Sequence, residues 1–216
     1  MKNRSERWCI LSLLALFFIF LAFNRLSAQT RENDGWKLAK DKQGIKIYTR
    51  SLEGSKLKEF KAYTELNTSI EILAEVLMDV EHYTDWTENI KHSKLLKEIS
   101  DKEIIIYSEL KVPWPFDNRD VVDRTQIYWS VNKDSFTLEI KSIPDYIQEK
   151  EEIVRMPLAD GGWEIYRKGN DKISVAYHFA ADPGGRIPSW LVNMFIVDGP
   201  YKTLNNLKVY LRSYSK

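Results

Sequence analysis

The sequence predicts an α+β domain in which an antiparallel sheet carries two well-separated helices. Three observations favour this fold class: an alternating strand pair followed by a capped helix, a long stretch patterned almost entirely as strands, and a helical C-terminal segment. Strands grouped in this way, rather than alternating regularly with helices, are typical of α+β architecture. No internal repeat, low-complexity linker or long charge block interrupts residues 29–216, so we expect one domain there.

The first strand pair and helix follow from local patterns. Apolar and polar side chains alternate over residues 44–50 and again over 57–66, and Gly54 supplies a turn between the two strands. Residues 68–71, Thr-Ser-Ile-Glu, form a capping-box pattern, and apolar side chains then recur at helical spacing. We therefore expect one helix from about Ser69 to His82.

The middle of the chain is patterned as a series of short strands. Asn, Asp, Gly and Pro separate runs that are rich in β-branched and aromatic residues. We expect six consecutive antiparallel strands, at residues 104–112, 121–131, 135–143, 151–156, 162–167 and 173–179.

The C-terminal segment, residues 187–214, is helical by composition and has Pro188 in its first turn, where a helix tolerates proline. From Pro188 to Val197 it is apolar on every face, whereas Leu204, Leu207 and Leu211 form a single stripe. Two interpretations of the first part stay open: an ordinary buried core helix, or a lid that packs on the sheet and faces a cavity, a ligand or a membrane. Gly199-Pro200 predicts a break or kink that serves as a hinge.

The N-terminus has the pattern of a secretory signal peptide. Basic residues precede an apolar run of 14 residues from Ile10 to Phe23, which is too short to span a bilayer as a helix. Cleavage after Ala28 would export residues 29–216 to the periplasm or the medium. The alternative is an uncleaved N-terminal anchor, and N-terminal sequencing of the exported protein decides between the two.

Charge and cysteine content exclude several function classes. The chain of 216 residues has 32 basic and 31 acidic side chains, a formal charge of +1. The first 28 residues hold four of the basic and one of the acidic side chains, so residues 29–216 carry 28 and 30, a charge of −2. This balance does not favour nucleic acid as a partner. Cys9 is the one cysteine, so a disulfide, a thiolate nucleophile or a zinc-thiolate site is excluded beyond residue 28.

No motif predicts catalysis or a cofactor. The chain lacks a nucleophile elbow, a phosphate-binding glycine loop and a dinucleotide fingerprint, and its three histidines lack metal-ligand spacing. Glu109, Asp120 and Asp123 fall in the strand region, where paired carboxylates can perform acid–base chemistry. With 30 acids after residue 28, we interpret such a cluster as surface charge.

Two segments are unusually dense in proline, glycine, aromatic and charged residues. The first, residues 112–120, contains Pro113, Trp114 and Pro115 in a stiff connection, followed by the charge pair Arg119-Asp120. The second, residues 182–193, is a turn that leads directly into the terminal helix. It contains Gly184, Gly185 and Pro188.

These segments, in their order along the chain, resemble the START family, the lipid-transfer domains related to the steroidogenic acute regulatory protein. The resemblance implies a helix-grip fold, in which a curved antiparallel sheet wraps a long C-terminal helix and encloses an apolar cavity. It also implies non-catalytic binding of one lipid, such as a sterol, a phospholipid or a ceramide-like molecule. The matching segments are Trp36, residues 44–48, 79–86, 113–120, 153–155, 162–163 and 182–193.

A strand-rich shell that ends in a helix apolar on all faces suits a hydrophobic pocket with a few polar groups. By that logic the predicted lining is Trp86, Tyr107, Trp163, Tyr177, Trp190, Met194 and Phe195, with Glu109 and Arg155 as buried polar groups. A purely structural role is the alternative for each. Arg119 and Asp120 match the family's Arg-Asp pair, which we expect to fix the start of a strand.

We therefore expect an exported, monomeric protein that carries one lipid under its terminal helix, meets membranes transiently and needs no cofactor. One rival is a polyketide cyclase-like or hydrolase-like enzyme on the same scaffold, with Glu109 and Arg155 in the pocket. Another is a structural or partner-binding envelope protein whose cavity is filled by side chains.

Overall fold

The computed structural model of the protein describes residues 35–51, 58–185 and 187–214. The predicted signal peptide, residues 1–28, and the turn at Gly54 lie outside the described residues, so cleavage and export stay predictions. From Lys37 onward the chain forms one compact unit.

The described residues contain a sheet of ten strands. Along the sheet the strands follow the order β1-β2-β3-β10-β9-β7-β6-β5-β4, with β8 beside β6. All pairs are antiparallel except that of β8 with β6. The strands are β1 (Lys37–Lys42), β2 (Ile45–Ser51), β3 (Lys58–Leu66), β4 (Ile90–Ser100), β5 (Glu103–Leu110), β6 (Asn118–Trp129), β7 (Ser135–Ser142), β8 (Ile153–Arg155), β9 (Leu158–Arg167) and β10 (Ile173–Asp182).

The predicted strands are present, but two further strands were missed and one pairing was wrong. β1 and β4 lie at the two ends of the sheet and are mostly exposed, so their lysine-rich sequences lack a clear apolar alternation. β8 was expected to be antiparallel. Because β7 pairs with β6 only from Asp123 onward, β8 occupies the remaining edge at Asn118–Asp120, and its connection brings it there in parallel orientation.

The first helical region is divided into three short pieces. These are α1 (Ile70–Met78), a 3-10 turn (Val80–His82) and α2 (Tyr83–Trp86), so the predicted single helix to His82 ends as an α-helix at Met78. The predicted N-cap is present, since Oγ of Ser69 accepts a hydrogen bond from the Ile72 amide at 3.2 Å.

The C-terminal segment is helical throughout but changes its winding. It consists of α3 (Ser189–Asn193), a π-helical segment (Met194–Asp198) and α4 (Gly199–Tyr214). Pro200 has no amide hydrogen, and its ring would clash with the carbonyl four residues earlier in a regular α-helix. The wider π-helical turns precede it directly, so the predicted break takes the form of a π-helical segment rather than an interruption.

The helix α4 is attached to the inner face of the sheet through its predicted stripe. Leu204, Leu207 and Leu211 are buried in the largest core cluster, together with side chains of α1 and of strands β2, β3, β7, β9 and β10. The opposite face of α4 is mostly polar, with Lys202 and Ser213, and also carries the exposed Val209. A one-sided stripe of this kind fixes which side of the helix meets the sheet.

The outer face of the sheet is also covered at β5 and β6. Tyr107 and Val122 pack there with Ile143 and Ile147, which belong to the chain between β7 and β8. Arg155 fixes this cover because its guanidinium forms a two-pronged ion pair with Asp120, at 2.7 and 3.1 Å, and also donates to the carbonyls of Pro144 and Ile147. Both charged side chains are almost completely buried.

We predict that Arg155→Met lowers the free energy of unfolding by about 3–5 kcal/mol, because it leaves the Asp120 carboxylate buried without its partner. Urea denaturation at neutral pH measures the change. The matched control is Lys172→Met, which removes the half-exposed pair with Glu65 at 2.6 Å and is expected to leave the free energy of unfolding nearly unchanged. Equal losses in the two variants would contradict a structural role for the buried pair.

Candidate functional site

A cavity of about 200 Å³ lies between the inner face of the sheet and the C-terminal helical segment. Its walls come from β3, β5, β6, β7, β9 and β10, from α2 and the residues after it, and from the helical segment between Val192 and Thr203. Most of the lining is apolar. The described residues therefore leave a partly open apolar space between the sheet and the helical segment.

The period of two along each strand determines which side chains reach the cavity. In β5 the inward positions are even-numbered and include Ile106 and Ser108, whereas in β6 they are odd-numbered and include Val121. In β9 and β10 the inward positions are again odd-numbered and include Ala159 and Phe179.

Aromatic side chains form one wall of the cavity. Trp163 and Tyr177 are cross-strand partners whose rings stack with centroids 4.1 Å apart. Trp86 from α2 meets Trp163 edge-on at 6.4 Å, and Phe60 meets Tyr177 edge-on at 5.0 Å. Burial raises the pKa of the Tyr177 hydroxyl above its ordinary value, so the hydroxyl stays neutral. The structure thus brings Trp86, Trp163 and Tyr177 together, as the sequence predicted.

The helical wall is formed by residues at helical spacing. Val192, Phe195 and Ile196 line the cavity, so the predicted Phe195 lies in its wall. The predicted Met194 is not part of the lining, and Trp190 is 54% exposed and meets Phe116 instead. The spacing explains both corrections, because positions 190 and 194 point away from the face that carries 192, 195 and 196.

Tyr107 and Glu109 were predicted to line the cavity, and this is wrong. Both occupy odd-numbered positions of β5, so they face the outer side of the sheet. Lys91 and Asn118 each donate a hydrogen bond of 2.8 Å to Oε1 of Glu109. Burial acts to raise the pKa of Glu109, but these two hydrogen bonds hold it below its ordinary value.

Arg155 is likewise outside the cavity, in the ion pair with Asp120 on the outer side of the sheet. The acid–base pair that the enzyme hypothesis placed in the pocket, Glu109 with Arg155, is therefore not there. The sequence could not show this, because β5 is buried on both faces and offers no polar side from which to read the register.

Arg119 and Asp120 are neighbours that face opposite sides of the sheet. Arg119 is in the cavity lining, and its guanidinium donates to the carbonyls of Asp117, Pro183 and Gly184 at 2.5, 3.1 and 3.3 Å. Burial lowers the pKa of Arg119 from its ordinary value. Arg119 thus joins the β5–β6 loop to the loop before α3.

The two dense segments of the sequence adopt tight local structures at this end of the cavity. In the first, the Trp114-Pro115 peptide bond is cis, and the Phe116 amide donates to the carbonyl of Pro113 at 3.2 Å. In the second, Gly184 and Gly185 have φ of +67° and +66°, a conformation that favours glycine. The carbonyl of Pro188 then accepts the amides of Leu191 and Val192, which begins α3.

Sequence reasoning missed one charged group of the cavity lining, Asp123. This carboxylate was interpreted as surface charge, but it is 7% exposed and in the lining. Thr125 Oγ1 donates to its Oδ1 at 2.8 Å, and burial raises the pKa of Asp123 from 3.8 to about 7. One signal was available. Asp123 is odd-numbered, like the apolar Val121 and Ile127, and alternate residues of a strand share a face, so Asp123 lies on the inward face of β6.

The described residues contain no group of three or more potential ligands that could hold a metal ion. Within the same part of the chain, no helix combines the length and apolar character needed to cross a bilayer.

Comparison with known proteins identifies the family. The START domain matches residues 24–215, nearly the whole chain. The chain belongs to the START domain family. The curved sheet and terminal helix described above are the helix-grip fold that the resemblance implied.

Three relatives illustrate the range of the START domain. A crystal structure of the STAR-related lipid transfer protein of Xanthomonas axonopodis, fragment 25–204, is 37% identical with a TM-score of 0.75, and the match covers 83% of this chain and 99% of that one. An uncharacterized protein of Pseudomonas aeruginosa is 35% identical over 176 residues, 81% of this chain and 86% of its own length. The phosphatidylcholine transfer protein of Mus musculus is 29% identical over 192 residues, 84% and 86% of the respective lengths.

We predict that Asp123→Asn stabilises the START domain at pH 8 but not at pH 4. The raised pKa means that the folded state binds the proton more tightly than the unfolded chain. The associated stability is complete below the ordinary value of 3.8 and is lost as the pH rises through about 7. A shift of about three units corresponds to at most about 4 kcal/mol at pH 8.

Urea denaturation at both pH values measures this difference. Asp101→Asn, in the exposed turn between β4 and β5, is the control and is expected to change neither value by more than about 0.5 kcal/mol. The same gain from Asp123→Asn at pH 4 and pH 8 would show that the carboxylate is not buried as described.

Proposed function

We propose that this START domain binds one lipid molecule in its internal cavity and transfers it between membranes without chemical change. The observation that carries this proposal is the apolar cavity between the sheet and the C-terminal helical segment. The names of the relatives from Xanthomonas axonopodis and Mus musculus, a lipid transfer protein and a phosphatidylcholine transfer protein, support it.

The rival readings have less support from the described residues. The enzyme hypothesis relied on Glu109 and Arg155, which both lie on the outer side of the sheet. The structural-protein hypothesis required side chains to fill the interior, whereas a cavity of about 200 Å³ remains. Lipid carriage accounts for both observations.

The helical segment from Ser189 to Asp198 is our candidate for the gate. Its Val192, Phe195 and Ile196 form one wall, so displacing it would open the cavity along its length. The π-helical winding and the missing amide hydrogen of Pro200 weaken the helical hydrogen bonding between this segment and α4. The segment can therefore move while the leucine stripe holds α4 on the sheet.

The same end of the domain offers a surface for membrane contact. Trp114 in the β5–β6 loop is 91% exposed, and Trp190 at the start of α3 is 54% exposed. Phe116 of the β5–β6 loop meets Trp190 edge-on, with ring centroids 6.2 Å apart. Tryptophan favours the membrane–water interface. We propose that Trp114 and Trp190 insert there and bring the gate to the bilayer.

The cavity itself can be tested by filling it. We predict that Ala159→Phe lowers the transfer of a fluorescent phospholipid between vesicles at least tenfold, because the added ring occupies the space of the acyl chains. The control is Ala180→Phe, on the neighbouring strand and the outer face, which should transfer like the wild type. Circular dichroism verifies folding, and Ala181→Leu is the milder filling if Ala159→Phe does not fold. No transfer by the folded wild type would contradict the proposed function.

The membrane surface can be tested by removing one tryptophan. We predict that Trp114→Ala weakens binding to phosphatidylcholine vesicles about tenfold, since an indole that enters the interface contributes about 1.5 kcal/mol or more. Vesicle co-sedimentation measures the affinity. Tyr166→Ala removes a half-exposed aromatic ring from the far end of β9 and serves as the control. Equal effects of the two substitutions would locate the contact elsewhere.

A further inference from the structure

The cavity contains one carboxylate whose charge is not balanced by any described side chain. Asp123 projects inward from β6 between its cross-strand neighbours Ile106 and Ser142. Among the described residues, its hydrogen-bond donor is the hydroxyl of Thr125, which reaches Oδ1. No described residue donates to the second carboxylate oxygen.

The other charged groups in the lining, Arg119 and Glu88, are already engaged. Arg119 uses its guanidinium on three backbone carbonyls, and Glu88 forms an ion pair with Lys202 at 2.9 Å. From α2, the Tyr83 hydroxyl donates to the carbonyl of Leu77 at 2.6 Å. From β10, the Tyr177 hydroxyl stays neutral. No described cation in the lining is therefore free to pair with Asp123.

A buried carboxylate without a counter-ion is unfavourable unless it takes up a proton or a bound molecule neutralises it. A ligand with an apolar body and a protonated amino group meets both requirements of the site, because the ammonium donates hydrogen bonds and supplies the opposite charge. A ligand whose buried end is a carboxylate or a phosphate would be repelled by the same group.

We propose that the cavity selects amphiphiles that carry a protonated amino group, with Asp123 as the acceptor of that group. This inference rests on the proposed function and specifies its ligand class. The amino group can belong to a lipid headgroup or to a free long-chain amine, and the chemistry at Asp123 is the same for both.

The pH dependence follows from the charges. Amines of this kind stay protonated up to about pH 10, whereas Asp123 loses its proton near pH 7. Binding of the amine should strengthen as the pH rises from 5.5 to 8.5, because the ion pair forms once Asp123 is ionised. A neutral alcohol of equal length gains no ion pair and should not strengthen over that interval.

The test measures the affinities of decylamine and decanol by isothermal titration calorimetry, with decanoate as the anionic counterpart. For the wild type at pH 8.5 we expect decylamine to bind at least tenfold more tightly than decanol, and decanoate to bind more weakly than either. Asp123→Asn should abolish the advantage of the amine. Asp101→Asn makes the same charge change on the surface and should retain it.

A second measurement identifies the source of the amino group. The wild type is incubated with mixed vesicles of phosphatidylethanolamine and phosphatidylcholine, and the extracted lipid is analysed by mass spectrometry. Preference for phosphatidylethanolamine, lost in Asp123→Asn, supports the inference with a headgroup as the source. Preference for decylamine without any headgroup preference supports it with a free amine as the source.

Other outcomes overturn the inference. Equal affinity of the wild type for decylamine and decanol, or an advantage that survives in Asp123→Asn, would show that Asp123 does not select the ligand, while lipid transfer itself would stand. If the wild type takes up none of the probes and extracts no lipid, the proposed function fails together with the inference.

Discussion

The contact between the leucine stripe of α4 and the inner face of the sheet is the interaction on which the rest of the structure depends. Leu204, Leu207 and Leu211 are buried at one end of the terminal helical segment and hold that end on the sheet. The other end, from Val192 to Ile196, leaves an open space beneath it. One continuous helical segment therefore covers the core with one part and forms a wall of the cavity with the other.

The second constraint is that β5 and β6 are buried on both faces. The inner face of this part of the sheet belongs to the cavity, and the outer face is covered by the chain between β7 and β8. Each side holds its own buried charge. Arg155 neutralises Asp120 on the outer side, whereas Asp123 on the inner side has, among the described residues, only the hydroxyl of Thr125 as a partner. The paired Asp120 therefore belongs to the framework of the fold, whereas the carboxylate of Asp123 faces the cavity without a counter-ion among the described residues.

Much of the fold could be predicted because its signals are local. The capping box at Ser69, the stripe at Leu204 and the strand alternation of β2 and β3 each reflect one physical cause that acts within a few residues. The resemblance of ordered motifs to the START family supplied the long-range arrangement, and the comparisons confirm the helix-grip fold. The polar edge strands β1 and β4 had no such signal, because little of their surface is buried.

The candidate site was harder to predict than the fold. Trp86, Trp163, Tyr177 and Phe195 could be placed in the cavity because large aromatic side chains in strands and helices need burial. Tyr107 and Glu109 could not be assigned to a face, since in a strand buried on both sides either register gives the same apolar pattern. Asp123 was passed over because a single acid in a strand is usually exposed.

The hydrogen bonds of Arg119 have a mechanical consequence. One guanidinium holds Asp117 in the loop that carries Trp114, and it also holds Pro183 and Gly184 just ahead of the helix that carries Trp190. Neither loop can shift far without loosening the other. A displacement of either indole is therefore coupled, through Arg119, to the helical segment that forms one wall of the cavity.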